Sequence, residues 1–115
     1  MRRSPTEPRR AVCRIVVLAA LAFAAADVAA GTTHQVTIEG MRFNPASLTV
    51  ARGDTIVWVN RDLVAHTATA TGVFDSHEIA PDAAWTYVAN TPGRHAYRCT
   101  FHPTMKATLI VKGQP

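Results

Sequence analysis

From His34 onward the chain alternates apolar and polar positions in short runs, each stopped by Gly, Pro, Asn or Asp. Runs of period two mark half-buried strands, because successive side chains on an extended backbone point to opposite faces. The pattern predicts strands over residues 35–38, 47–50, 55–60, 65–69, 84–89, 94–99 and 106–112, with a short one near 73–76. Asn44-Pro45, Arg52-Gly53-Asp54, Gly72, Pro81-Asp82 and Thr91-Pro92-Gly93 supply the breaks. About seven to eight short strands at this spacing predict an all-β sandwich or barrel. No helical period, internal repeat or linker interrupts them. Before Cys99, the residues His95 and Tyr97 share its face while Arg94, Ala96 and Arg98 share the other, so Cys99 is expected to point inward.

The first 30 residues break this pattern. Arg2, Arg3, Arg9, Arg10 and Arg14 make a basic start, residues 15–26 are uniformly apolar, and small residues follow through Ala30. That order is the layout of a secretory signal peptide. A membrane-crossing helix needs about 20 apolar residues, and Asp27 stops this run well short. Cleavage is expected after Ala30, giving a signal peptide over 1–30 and one domain over 31–115. The mature protein is then exported to the periplasm, with no stable membrane insertion.

Charge and cysteine content change meaning once the leader is set aside. The 115 residues carry 12 Lys+Arg against 8 Asp+Glu, a net charge of +4. Five of those cations lie in the leader; after it, seven face six acids, leaving +1. A nucleic-acid partner is therefore not expected. Removing the leader also removes Cys13 and leaves Cys99 as the single thiol, so no disulfide can form within the mature chain. A small exported domain without disulfides commonly gains stability from a bound metal.

The segment Cys99-Thr100-Phe101-His102-Pro103-Thr104-Met105 supplies the donors for one. It sets a thiolate, an imidazole and a thioether at steps of three, between two predicted strands. His66 adds a second imidazole at the end of another. A thiolate, two imidazoles and a weak thioether form the ligand set of a blue-copper electron-transfer site. Soft sulfur favours Cu(I), imidazole serves both oxidation states, and a trigonal frame with a long axial bond suits neither state best. Little rearrangement then accompanies electron transfer. Of the other histidines, His34 is expected to be solvated, His95 to be a hydrogen-bonded core residue, and His77 to sit in a turn beside Asp75 and Glu78. Trp58 and Trp85 are expected in the core.

On these residues the chain from about Gly31 to Lys112 resembles a small cupredoxin of the plastocyanin/amicyanin type. Gly53 to Asn60 resembles the family's strand leading to its first ligand, and Gly93 to Cys99 the strand delivering its cysteine. The spacing Cys99-x-x-His102-x-x-Met105 resembles the short amicyanin loop. The resemblance implies a Greek-key β-sandwich holding one type 1 copper, with His66, Cys99 and His102 in a trigonal plane and Met105 axial. It implies that the Thr67 backbone N–H donates to the cysteine sulfur and that Asn60 helps hold the ligand loops. Phe101, Pro103 and Met41 would form an apolar docking patch around the edge of His102. Phe101 stands where amicyanins have proline, Thr104 where they have an aromatic residue, and His95 where a tyrosine or phenylalanine is usual.

The function these readings imply is an exported one-electron carrier, monomeric, cycling Cu(II)/Cu(I) between transient redox protein partners. The alternative is a periplasmic copper-binding or copper-delivery protein without a dedicated electron-transfer partner. An enzyme is not expected: a Cys99/His102 nucleophile pair is imaginable, but catalytic zinc needs an open water position and thioether is a poor zinc ligand. A body charge near +1 implies little electrostatic steering.

Overall fold

The computed structural model describes residues 31–113, and before them only Arg2 and Ala19. The signal-peptide reading of residues 1–30 therefore lies outside the described residues. No helix among the described residues is long and apolar enough to cross a membrane.

Among the described residues nine strands form two sheets. They are β1 (Thr33–Ile38), β2 (Phe43–Asn44), β3 (Ser47–Ala51), β4 (Thr55–Asn60), β5 (Thr69–Ala70), β6 (Phe74–Asp75), β7 (Ala84–Val88), β8 (Gly93–Arg98) and β9 (Lys106–Lys112). One sheet has the order β2-β1-β4-β7 and the other β3-β9-β8-β5-β6. Both are mixed: β1 runs parallel to β4 and β3 parallel to β9, while β4–β7 and β8–β9 are antiparallel.

The alternation read from the sequence sets which side chains the sheets enclose. Along β4, Ile56, Trp58 and Asn60 are buried and the residues between them only half so. Along β9 the buried set is Ala107, Leu109 and Val111. Between the sheets Trp58 meets the ring of Tyr97 edge-on, with centroids 5.7 Å apart and planes at 88°. Its indole Nε1–H donates to the Tyr97 hydroxyl at 3.3 Å. Burial pushes the Tyr97 phenol up to about 12, partly offset by that bond. Trp58 is wholly buried and Trp85 packs against the core from a half-buried position, 5.4 Å from the Trp58 ring.

Several sequence expectations need correction, and one strand had not been foreseen. Residues 65–69 do not form a strand: only β5 and an isolated bridge between His66 and Ile79 appear there. Side chains capture the backbone donors in this stretch, for Thr67 N–H points at Cys99 Sγ and Ala68 N–H donates to Ser76 Oγ at 2.7 Å. The two-residue strand β2 is too short to leave a periodic signal. His34 is not simply solvated: it is half-buried, with Nε2 2.9 Å from Asp54 Oδ2. His95 is hydrogen-bonded as expected, its Nε2 pairing with the Thr91 carbonyl at 2.8 Å, but it is only half-buried and lies outside the core.

Candidate metal centre

The donors converge where two loops meet at one end of the sandwich. The first loop follows β4 and carries His66; the second joins β8 to β9 and carries Cys99, His102 and Met105. The second is closed on itself, with Met105 N–H donating to the His102 carbonyl at 2.9 Å and Cys99 N–H to the Met105 carbonyl at 3.1 Å. Those bonds bend seven residues into a cup whose ends enter neighbouring antiparallel strands.

Inside it, one donor atom each from His66, Cys99 and His102 lies within 4.8 Å of the others. Cys99 Sγ is 3.6 Å from His66 Nδ1 and 3.7 Å from His102 Nδ1. His66 and Cys99 are fully buried, Met105 is 4% exposed, and His102 is half-buried. His77 is remote in character: it is exposed, has φ 54°, and pairs with Asp75.

The surrounding bonds select which atoms remain free. His66 Nε2 lies 2.8 Å from Asp62 Oδ2. A carboxylate at that distance holds the ring proton on Nε2, so the Nδ1 lone pair faces the sulfur and is available to a metal. Asp62 also accepts the Gly40 N–H at 2.7 Å and the Met41 N–H at 2.9 Å. Partial burial pushes the Asp62 carboxyl up, but the Met41 N–H, His66 ring and Gly40 N–H together outweigh it, leaving the group below the usual carboxylate range. Met41 itself has φ 58°, a left-handed conformation uncommon outside glycine, in a turn clasped by this carboxylate.

Thr67 is where the two loops are joined. Its backbone N–H points at Cys99 Sγ at 3.4 Å, and its hydroxyl accepts the Thr100 N–H at 2.8 Å. That hydroxyl also lies 3.0 Å from Thr69 Oγ1 and 3.1 Å from Thr100 Oγ1. Asn60 braces the first loop and ties it to the segment before β7: its Nδ2 donates to the Val64 and Ile79 carbonyls at 2.8 and 3.0 Å, and its Oδ1 accepts the Asp62 N–H at 2.9 Å.

Phe101 and Pro103 on either side of His102 are exposed, Phe101 at 52%, and so is Met41. Sequence reasoning missed Leu63, which is 95% exposed, and its neighbour Val64. Both sit on the Asp62 loop, and apolar residues between two predicted strands read as interior. It also missed Asp62, whose one available signal was a carboxylate four residues before a candidate ligand.

A buried thiol between two imidazole nitrogens, with a thioether on the same loop, fits copper in both common oxidation states; the thioether is a poor ligand for zinc, and the set has no oxygen donor for magnesium. A family model described as a cupredoxin-like domain matches residues 11–111. An amicyanin of Paracoccus versutus is 32% identical over 105 residues, covering 86% of this chain and 79% of that protein. The solved amicyanin structure from the same organism superposes with a TM-score of 0.63 at 29% identity, over 70% of this chain and 81% of that one. A copper-containing nitrite reductase from Thermus scotoductus SA-01 reaches a TM-score of 0.67 at 24% identity over 72% of this chain and 23% of its own, a likeness of fold alone. With one type 1 copper as its cofactor, the chain belongs to the cupredoxin family, among its small members of the amicyanin type.

Proposed function

We propose that this protein is an exported one-electron carrier whose copper is held by His66, Cys99, His102 and Met105. The observation that carries the reading is the clustering of three donor atoms within 4.8 Å around a buried thiol. When bound there, copper supplies one-electron chemistry between Cu(II) and Cu(I). The chain's own part is to hold the donors in nearly one arrangement for both states. Asp62 orients the His66 ring, the Thr67 N–H lies against the sulfur, and the hydroxyl of Thr67 ties the two loops.

Electron exchange takes place through the half-buried edge of His102, framed by Phe101, Pro103 and Met41. This apolar rim suits brief encounters with redox proteins, which bury less than about 1,200 Å². In this reading residues 1–30 are a signal peptide removed on export to the periplasm, and the remaining domain works as a monomer without catalysis of its own.

The test is the visible spectrum of the exported protein after one equivalent of Cu(II). An intense blue band that ascorbate bleaches is expected from a thiolate bound in a trigonal site. A faint band typical of nitrogen and oxygen ligands would overturn the assignment of Cys99 and the carrier reading with it. N-terminal sequencing of the same material is expected to begin at Gly31.

A further inference from the structure

The near-neutral charge of the body conceals an uneven distribution. Burial along β8 and β9 alternates so that Arg94, Arg98, Lys106 and Lys112 all face away from the core. Four of the seven cations that follow residue 30 thus lie on one sheet face. Arg98 is in register with Lys106, so two like charges stand directly opposite each other on neighbouring strands. That placement opposes sheet pairing rather than supporting it. Among the described residues, neither takes part in an ion pair.

A surface groove of about 670 Å³ is lined by both of them together with Thr69, Thr71, Ala96 and Thr108. Thr69 of β5 flanks Arg98 and Thr108 lies two residues beyond Lys106 on β9, so hydroxyls stand beside both cations. The carboxylate on this face, Asp75, belongs to edge strand β6 and is separated from Arg98 by Thr69 of β5. Two strand spacings put it about 10 Å away. Its Oδ1 already accepts the Thr69 hydroxyl and the His77 N–H. Arg98 immediately precedes Cys99 and Lys106 immediately follows Met105, so the groove lies at the donor-bearing end of the sheet.

We propose that this groove is a second docking surface, separate from the apolar rim of His102, and that it receives the carboxylate-bearing surface of an acidic redox protein. The inference rests on the electron-carrier reading for the nature of that partner. A guanidinium fork takes a carboxylate through two parallel bonds, and an ammonium adds a compact charge beside it. Exposed pairs of this kind each contribute little affinity. Their effect is to steer encounter and orient the partner, and it falls with salt. Docking is therefore salt-sensitive although the body carries only about one net charge.

The test uses the full exported protein loaded with copper and reduced by ascorbate, with hexaglutamate peptide as the probe. Amide shifts in ¹⁵N-labelled protein are expected to saturate at Thr69, Ala96, Arg98, Lys106 and Thr108, with little change over residues 101–103. Raising salt from low to physiological strength is expected to weaken binding about tenfold. R98E combined with K106E abolishes the shifts, whereas R42E combined with R61E, an equal change of charge elsewhere, retains them. The gentler R98Q and K106Q pair weakens binding without reversing the charge of the groove, so the result does not depend on a disturbed fold. Equal loss in the two charge-reversed proteins, shifts centred on residues 101–103, or no saturable shift would each overturn the proposal. The blue band of the oxidised sample reports separately on the carrier reading, since peptide binding does not require it.

Discussion

Two histidine–aspartate pairs sit at opposite ends of β4, and they are wired almost alike. At one end Asp54 meets His34 Nε2 at 2.9 Å and accepts the backbone N–H groups of Thr32 and Ala51, both at 3.0 Å. At the other, Asp62 meets His66 Nε2 at 2.8 Å and accepts the N–H groups of Gly40 and Met41. Each carboxylate clasps one imidazole and two backbone donors, two of those three partners lying 20 to 22 residues away in the chain. The difference lies behind the ring. His66 is fully enclosed and its Nδ1 faces Cys99 and His102, whereas the His34 side chain is 24% exposed and, among the described residues, belongs to no cluster of three metal donors. A carboxylate–imidazole pair is thus a general clasp, and it becomes part of a metal centre only where topology brings soft and nitrogen donors to the free nitrogen.

The sharpest way to break the comparison is to delete each ring. H66Q is expected to abolish the intense blue band on adding Cu(II), while H34Q leaves it at wild-type strength. Equal spectra for the two variants would show that the pairs are not functionally distinct. Next come the carboxylates. D62N is expected to weaken copper binding about 10- to 100-fold, because the outer partner of a ligating histidine sets its orientation and basicity. D54N is expected to leave copper affinity unchanged and to lower the melting temperature, a split that competition titration and thermal scans would read together.

Acid unfolding sharpens the same contrast. The His34 ring and the Ala51 N–H hold the Asp54 carboxyl below its ordinary value, with the Thr32 N–H adding to them against a smaller cost of burial. The folded protein therefore binds fewer protons here than the unfolded chain. The resulting stability is complete above the ordinary aspartate value of about 4 and is lost as pH falls through the folded value. Denaturant midpoints between pH 5 and 2 are expected to fall less steeply in D54N than in wild type.

Smaller effects are expected away from the clasps. T67V removes the hydroxyl that accepts the Thr100 N–H and leaves a donor without its partner, at a cost of about 1–3 kcal/mol in denaturant unfolding. The reduction potential should shift as well if that tie holds the Thr67 N–H against the sulfur. Smallest of all is L63S: the side chain is 95% exposed, so stability should stay within about 0.5 kcal/mol of wild type. Slower electron exchange in L63S would extend the apolar rim to this loop, and an unchanged rate would confine it to Phe101, Pro103 and Met41.

Much of this architecture was legible in one dimension. Alternation located β4, β7, β8 and β9 to within a residue, because a strand buried on one face must repeat every second position. The inward aim of Cys99 followed from the outward arginines beside it. Spacing also marked Cys99, His102 and Met105 as one group, since a loop of that length can close on a point. The stretch around His66 misled the same reasoning: its side chains alternate as in a strand, but its N–H groups are spent on Cys99 Sγ and Ser76 Oγ. Hydrogen bonds to side chains distant in sequence leave no periodic trace.

The sequence alone therefore determined most of the strands, the all-β class and three of the four donors as a local unit, because each depends on neighbours a few residues apart. The tertiary structure decided what depends on distant segments meeting. It brought His66 to Cys99 across 33 residues, brought the Gly40 and Met41 N–H groups to Asp62 across 22 and 21, and set Thr69 beside Arg98. Those outcomes come from sheet order and register, which fix how strands far apart in the chain lie side by side and which no count of spacing or charge contains.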